Sequence, residues 1–271
     1  MAATPVSHEF EDDRTPDPRA RVSFIAEMGF HCSFHDDVIV GHSDAPASAL
    51  LVPGSDVVRP SVMLTLADIL IGSLANEAVL PRITMTADLN VRTLHPLAAD
   101  KPFTGEARVL KSGRTTTLGE ATFRSDGDAQ PAVLSHGTFI ASPRPQDTGF
   151  SLRSRGPLHA PPGTMTVPFA RRVGCRRVGS GAAEIARRDD LLNPADTLQG
   201  GLVALVAEEA ACALHDDAVP TALDVRYLSA IRVGPARATA VDLGPVTRVE
   251  VRDAGADARL AAVAVVRFRE V

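Results

Sequence analysis

Between Val62 and Ala75 the chain is apolar on nearly every side of Asp68, and from Gly200 to Leu214 it is so again around Glu208 and Glu209. Segments of this length without a polar stripe predict helices buried all round rather than helices lying on a surface. The flanking sequence has a shorter period. From Gly29 to His42 apolar and polar positions alternate about Asp36 and Asp37, which predicts two short strands and a turn. After the first helix come strand-like runs at Ile83 to Leu94, Phe103 to Leu110, Thr115 to Phe123 and Ala132 to Ile140, with turn signals at Ser112-Gly113 and Asp126-Gly127. The second part repeats the order: strand runs near Val167 to Val173 and Ala182 to Ile185, the second helix, then strands at Ala222 to Leu228, Ala236 to Leu243, Val246 to Val251 and Leu260 to Phe268. A meander beside such a helix is expected to be antiparallel and to curl about it, because that buries every face of the helix.

The repetition extends to single residues. Leu89 to Leu94 reads LNVRTL and Leu223 to Leu228 reads LDVRYL, 134 residues apart, while Asp68 and Glu208 are 140 apart. So long a period implies two similar domains of α+β class rather than a solenoid. Residues 1–20, acidic and proline-containing, read as a tail, and 142–164, with several Pro, Gly, Ser and Arg, as a linker. The domains would then be 21–141 and 165–271.

Composition narrows the classes. With 45% hydrophobic residues, 271 positions suffice for two cores. A net charge of -5 without a dense Lys/Arg run argues against a nucleic-acid partner. Cys32, Cys175 and Cys212 have no metal-ligand spacing, and neither do His31, His35, His42 and His136, so no metal site is expected. The odd cysteine count, the lack of a secretory signal and the lack of an 18-residue apolar run suggest a cytoplasmic chain with no membrane span.

Two features could carry chemistry. Asp68 is flanked by Leu64, Leu66, Ile69, Leu70 and Ile71, so its carboxylate is expected among apolar neighbours, where burial raises a pKa and prepares a general base. Gly200 and Gly201 open the second helix, and glycines there leave first-turn N–H groups open to a negatively charged oxygen.

The stretch Asn193 to Glu209 (NPADTLQGGLVALVAEE) resembles the signature of the hotdog-fold acyl-CoA thioesterases of the PaaI type, in the unbroken spacing of Asn193, Gly200 and Glu208. Gln199 departs from the His that commonly precedes the glycine pair there. Pro60 through Pro96, with Asp68 and the strand Thr84 to Asn90, resembles the same family. The resemblance implies a double hotdog: two tandem halves, each an antiparallel sheet wrapped around a central helix, with sites formed across the two. One site would join Asp68 and Thr86 to Asn193 and Gly200, with the Gly200 N–H, aided by Asn193, as oxyanion donor, and Asp68 either activating a water held by Thr86 or attacking the carbonyl itself. The other would join Glu208 to the positions 15 and 8 residues before Asp68, which are Pro53 and Pro60. Proline has no N–H and no side-chain amide, so this second site should be dead. Glu208 is then a weak second catalytic candidate or a structural acid paired with an Arg.

The resemblance further implies an acyl-CoA substrate, no cofactor beyond its CoA, and a possible homodimer of double hotdogs. Arg92, His95, Lys111 and Arg114 are candidates for the CoA phosphates, with 111–114 resembling the family's Gly-Arg turn. Related hydratases carry a His five residues after their Asp; Ser73 and Ala213 stand there instead. A non-catalytic acyl-CoA binding module is the rival from another class.

Overall fold

A computed structural model describes residues 24–144, 149, 151, 153, 165–193, 195–215 and 218–270. The tail expected over 1–20 lies outside these residues, as does most of the expected linker. The first half runs α1 (Phe24–Glu27), β1 (Phe30–His35), β2 (Val38–Ser43), α2 (Pro60–Val79), β3 (Thr84–Thr93), β4 (Phe103–Ser112), β5 (Thr116–Ser125) and β6 (Val133–Ala141). The second runs α3 (Phe169–Val173), β7 (Cys175–Gly179), β8 (Ala182–Ile185), α4 (Gly200–Cys212), β9 (Ala218–Tyr227), β10 (Ala236–Asp242), β11 (Thr247–Asp253) and β12 (Arg259–Glu270).

All twelve strands form one antiparallel sheet, ordered β1-β2-β4-β5-β6-β3-β9-β12-β11-β10-β8-β7, so the halves join through β3 and β9. This is the expected double hotdog. The sheet encloses both long helices: 15 of 20 residues of α2 and 12 of 13 of α4 are buried, which the absence of a polar stripe required. By length and composition α2 could cross a bilayer, but two thirds of its apolar stretch is buried within the protein. Close approach of sheet and helix depends on missing side chains. A Cβ on Gly119 of β5 would stand 2.3 Å from Ile71 of α2.

One expected strand is a helix. In place of the strand expected near Val167 to Val173 stands α3, with Phe169 and Val173 buried one helical turn apart. Gly174, at φ 73°, ends that turn in the left-handed region, and the strand β7 follows from Cys175.

A pseudo-twofold axis relates the halves. Asn90 of β3 pairs in register with Asp224 of β9, the residue 134 positions on that occupies the same place in its own half. Equivalent residues thus face each other across the axis. Phe24 stacks on Phe169, with ring centroids 5.9 Å apart, and Arg172 of α3 donates to Glu27, its counterpart in α1, at 2.7 Å. Even the strand bulges repeat, at Ala87 in β3 and Thr221 in β9.

Candidate active site

Helices α2 and α4 meet near their N-termini. A Cβ on Gly201 would lie 2.0 Å from the Thr65 Oγ1, so the start of α4 rests directly on α2. Asp68 follows Thr65 by three residues and therefore shares its helix face, which aims it toward the α4 N-terminus. Its Oδ1 accepts a hydrogen bond from the Thr86 hydroxyl at 2.8 Å, so the pair expected from sequence is in contact. Burial pushes the Asp68 carboxyl up to about 6, against a smaller downward pull from Thr86. At neutral pH such a group is ionised yet ready to take a proton.

The start of α4 supplies donors. Gln199 is the N-cap, and its Oε1 accepts from the Gly201 N–H at 2.6 Å. Gly200, at the first helical position, has no i−4 partner within the helix, and its N–H has no acceptor among the described residues. Asn193 uses its amide oxygen within its own loop. Its Oδ1 accepts from the backbone of Ala195 and Thr197 and from the Thr197 hydroxyl at 3.0 to 3.2 Å, so it builds the loop that leads into α4. Tyr227, unremarked in the sequence, donates from its hydroxyl to the Gly200 carbonyl at 3.1 Å.

On the other side of the axis the same parts are filled in. Arg59 is the N-cap residue of α2, where α4 has Gln199, and its Nε bonds Glu208 Oε1 at 2.7 Å while its Nη2 bonds Glu209. The second oxygen of Glu208 accepts the Ser61 N–H at 2.7 Å. Arg177 closes the cluster on Glu209 at 2.9 Å. Burial pushes Glu208 upward against the pull of Arg59 and Ser61; Glu209 sits below its ordinary value because Arg59 and Arg177 outweigh its burial. Glu208 is 0% exposed with both oxygens bound, the arrangement expected of a structural acid paired with an Arg. Pro60 stands at the position of Gly200, and Pro220, beside the second bulge, at that of Thr86. Cavities of about 610 and 1260 Å³ open on this side, sharing Pro53, Arg59 and Arg177 in their walls. Neither is lined by Asp68, Thr86 or Gly200, so the candidate site is assigned by its donor and acid rather than by empty volume.

The four residues expected at the CoA phosphates do not converge. Arg92 holds both oxygens of Asp224 at 2.7 and 2.9 Å, a bidentate bond between the halves that occupies its guanidinium. His95 is exposed and lies two residues past the end of β3, the end away from Thr86. Lys111 and Arg114 are exposed at the β4–β5 turn, whose neighbour Thr115 accepts from Ala141, the register partner of Thr84. They stand at the Thr86 end of the sheet. Arg82 joins them, donating to the Arg114 carbonyl at 2.8 Å. Among the described residues no group of three His, Cys, Asp or Glu side chains gathers as a metal site.

Residues 58–132, which include α2, Asp68 and Thr86, match the family model of the thioesterase superfamily. The whole fold is similar to that of a 12:0-ACP thioesterase from Umbellularia californica, with TM-score 0.62 and 11% identity over 88% of this chain and 99% of that one. An acyl-ACP thioesterase from Bacteroides thetaiotaomicron gives 0.59 at 11% identity over 86% and 98%, and a TesB protein from Mycobacterium avium subspecies paratuberculosis gives 0.55 at 14% over 91% and 98%. Identities this low speak for the fold alone. No curated protein matches the chain.

Proposed function

We propose that this double hotdog, in which residues 58–132 match the thioesterase superfamily model, is a thioester hydrolase that cleaves acyl-CoA thioesters at one composite site between its halves. The thioester carbonyl accepts the Gly200 N–H at the start of α4, where the helix dipole and an unused donor stabilise the oxyanion that forms on attack. Asp68 takes the proton of the attacking water, and Thr86, bonded to the same carboxylate, helps hold that water. Collapse of the tetrahedral intermediate expels the CoA thiolate and leaves the free acid. Arg82, Lys111 and Arg114 are the cations best situated for the carrier's phosphates.

The observation that carries this reading is the asymmetry between the two sides: on one the Gly200 N–H has no acceptor among the described residues and Asp68 is bonded to the Thr86 hydroxyl, whereas on the other Glu208 is locked by Arg59 and Ser61. A protein that only bound acyl-CoA would have no use for a base opposite an oxyanion donor. Two of the similar structures are ACP thioesterases, and CoA and ACP present the same phosphopantetheine arm, so both carriers belong in the test. The experiment is thiol release from short, medium, long-chain and aryl acyl groups on CoA and on ACP, by the wild type and Asp68→Asn. Turnover on CoA substrates that falls about 100-fold or more in the variant supports the reading. Turnover on ACP alone would reassign the carrier, and binding without turnover would overturn hydrolysis.

A further inference from the structure

We infer that Tyr227 is a positioning residue, holding the first peptides of α4 so that the Gly200 N–H stays aimed at the Asp68 side of the site; this rests on the thioesterase reading above. Tyr227 is the only tyrosine in the chain. It follows Arg226, the register partner of Asp88, and so reaches the end of β3 where Thr86 stands.

The need for such a residue comes from glycine itself. The Gly200 Cα is a swivel between two peptide planes, and no side chain restricts it. The plane before it is held because the Gln199 carbonyl accepts the Leu202 and Val203 N–H groups at 3.0 and 3.3 Å. The plane after it is gripped at both ends: Tyr227 donates to the Gly200 carbonyl at 3.1 Å, and Gln199 accepts the Gly201 N–H at 2.6 Å. The tyrosine ring also lies 3.6 Å from the point where a Gly200 side chain would begin, which limits tilting of the turn. Burial, with the nearby Asp68 charge adding to it, keeps the phenol protonated and therefore a donor across the working pH range.

The other half has no equivalent clamp. There the residue 134 positions earlier is Thr93, whose buried hydroxyl has no hydrogen-bond partner among the described residues, and the helix start is fixed by the ring of Pro60. The tyrosine is found only on the side that retains both acid and donor.

Steady-state kinetics and amide hydrogen exchange on the wild type, Tyr227→Phe and the control Thr93→Val test this. Phe keeps the ring contact and loses one hydrogen bond, so kcat should fall about threefold to tenfold with KM held within about twofold. The pH midpoint of the rate should not move, since Asp68 keeps its own partner. Exchange at Gly201 should accelerate in Tyr227→Phe and not in Thr93→Val. Unchanged kcat and unchanged exchange in Tyr227→Phe would overturn the inference. A wild type without turnover would sink the thioesterase reading instead, while the exchange rates would still decide the role of the tyrosine.

Discussion

The carboxylate of Glu208 ends 2.7 Å from the Ser61 N–H of the facing helix, whereas that of Asp68, one methylene shorter, ends 2.8 Å from the Thr86 hydroxyl. The longer acid spans to the first turn of the facing helix, which the shorter one does not. Asp68→Glu should therefore close the first side much as Glu208 closes the second. Hydrolysis should drop by about 100-fold or more, and binding of a hydrolysis-resistant acyl-CoA thioether should be lost with it. Asp68→Asn should lose hydrolysis and keep thioether binding. Calorimetry on the two variants separates a filled site from a missing base.

Burial of Asp68 costs stability once it ionises. Its folded pKa of about 6 lies above the ordinary 3.8, so the folded state holds this proton more tightly than the unfolded one. The sign follows: this group's contribution falls as pH rises from about 4 to about 6, by about 1–3 kcal/mol after allowing for partial exposure. Asp68→Asn should raise the melting temperature at pH 8 and leave it nearly unchanged at pH 4. The wild-type rate should climb through a midpoint near pH 6 as the base ionises. Thermal melts and a pH–rate profile check both.

Adjacent glycines should respond differently. Pro60 already shows that a proline fits the first position of the equivalent helix, so Gly200→Pro should fold while losing the N–H donor, at a cost of about 10² to 10³ in kcat. Gly201→Ala would drive a methyl into Thr65 and should instead destabilise the fold by about 1–3 kcal/mol. Circular dichroism melts beside kinetics distinguish them.

Arg59 is buried with two carboxylates, and removing it would leave their charge uncompensated. Arg59→Met should cost about 3–5 kcal/mol. Adding Glu208→Gln and Glu209→Gln should recover much of that, because the neutral amides no longer need the cation. Denaturant melts of the single and triple variants measure the difference, and hydrolysis by the triple variant should persist.

The fold was legible because the buried helices and the meander each leave a hydrophobic period in the sequence. Asp68 and Gly200 were legible for a related reason: a carboxylate inside an apolar helix and a glycine pair at a helix start are local anomalies. Helix α3 was not, because Phe169 and Val173 fit either period over so few residues. Arg59 acts on an acid 149 residues away, and Tyr227 on a carbonyl in another element, so only strand register and helix packing bring out their roles. Arg92, a cation on the strand after the first helix, is expected at a phosphate, and its bidentate bond to Asp224 of the other half could be seen only from the register of β3 with β9.

The claim that one composite site operates per chain is tested most directly by comparing turnover of Asp68→Asn with that of Glu208→Gln on the same acyl-CoA. A single site joining Asp68 to the α4 N-terminus predicts a loss of about 100-fold or more in the first and a rate within about threefold of wild type in the second. Retained turnover in Asp68→Asn, or loss confined to a folded Glu208→Gln, would contradict it.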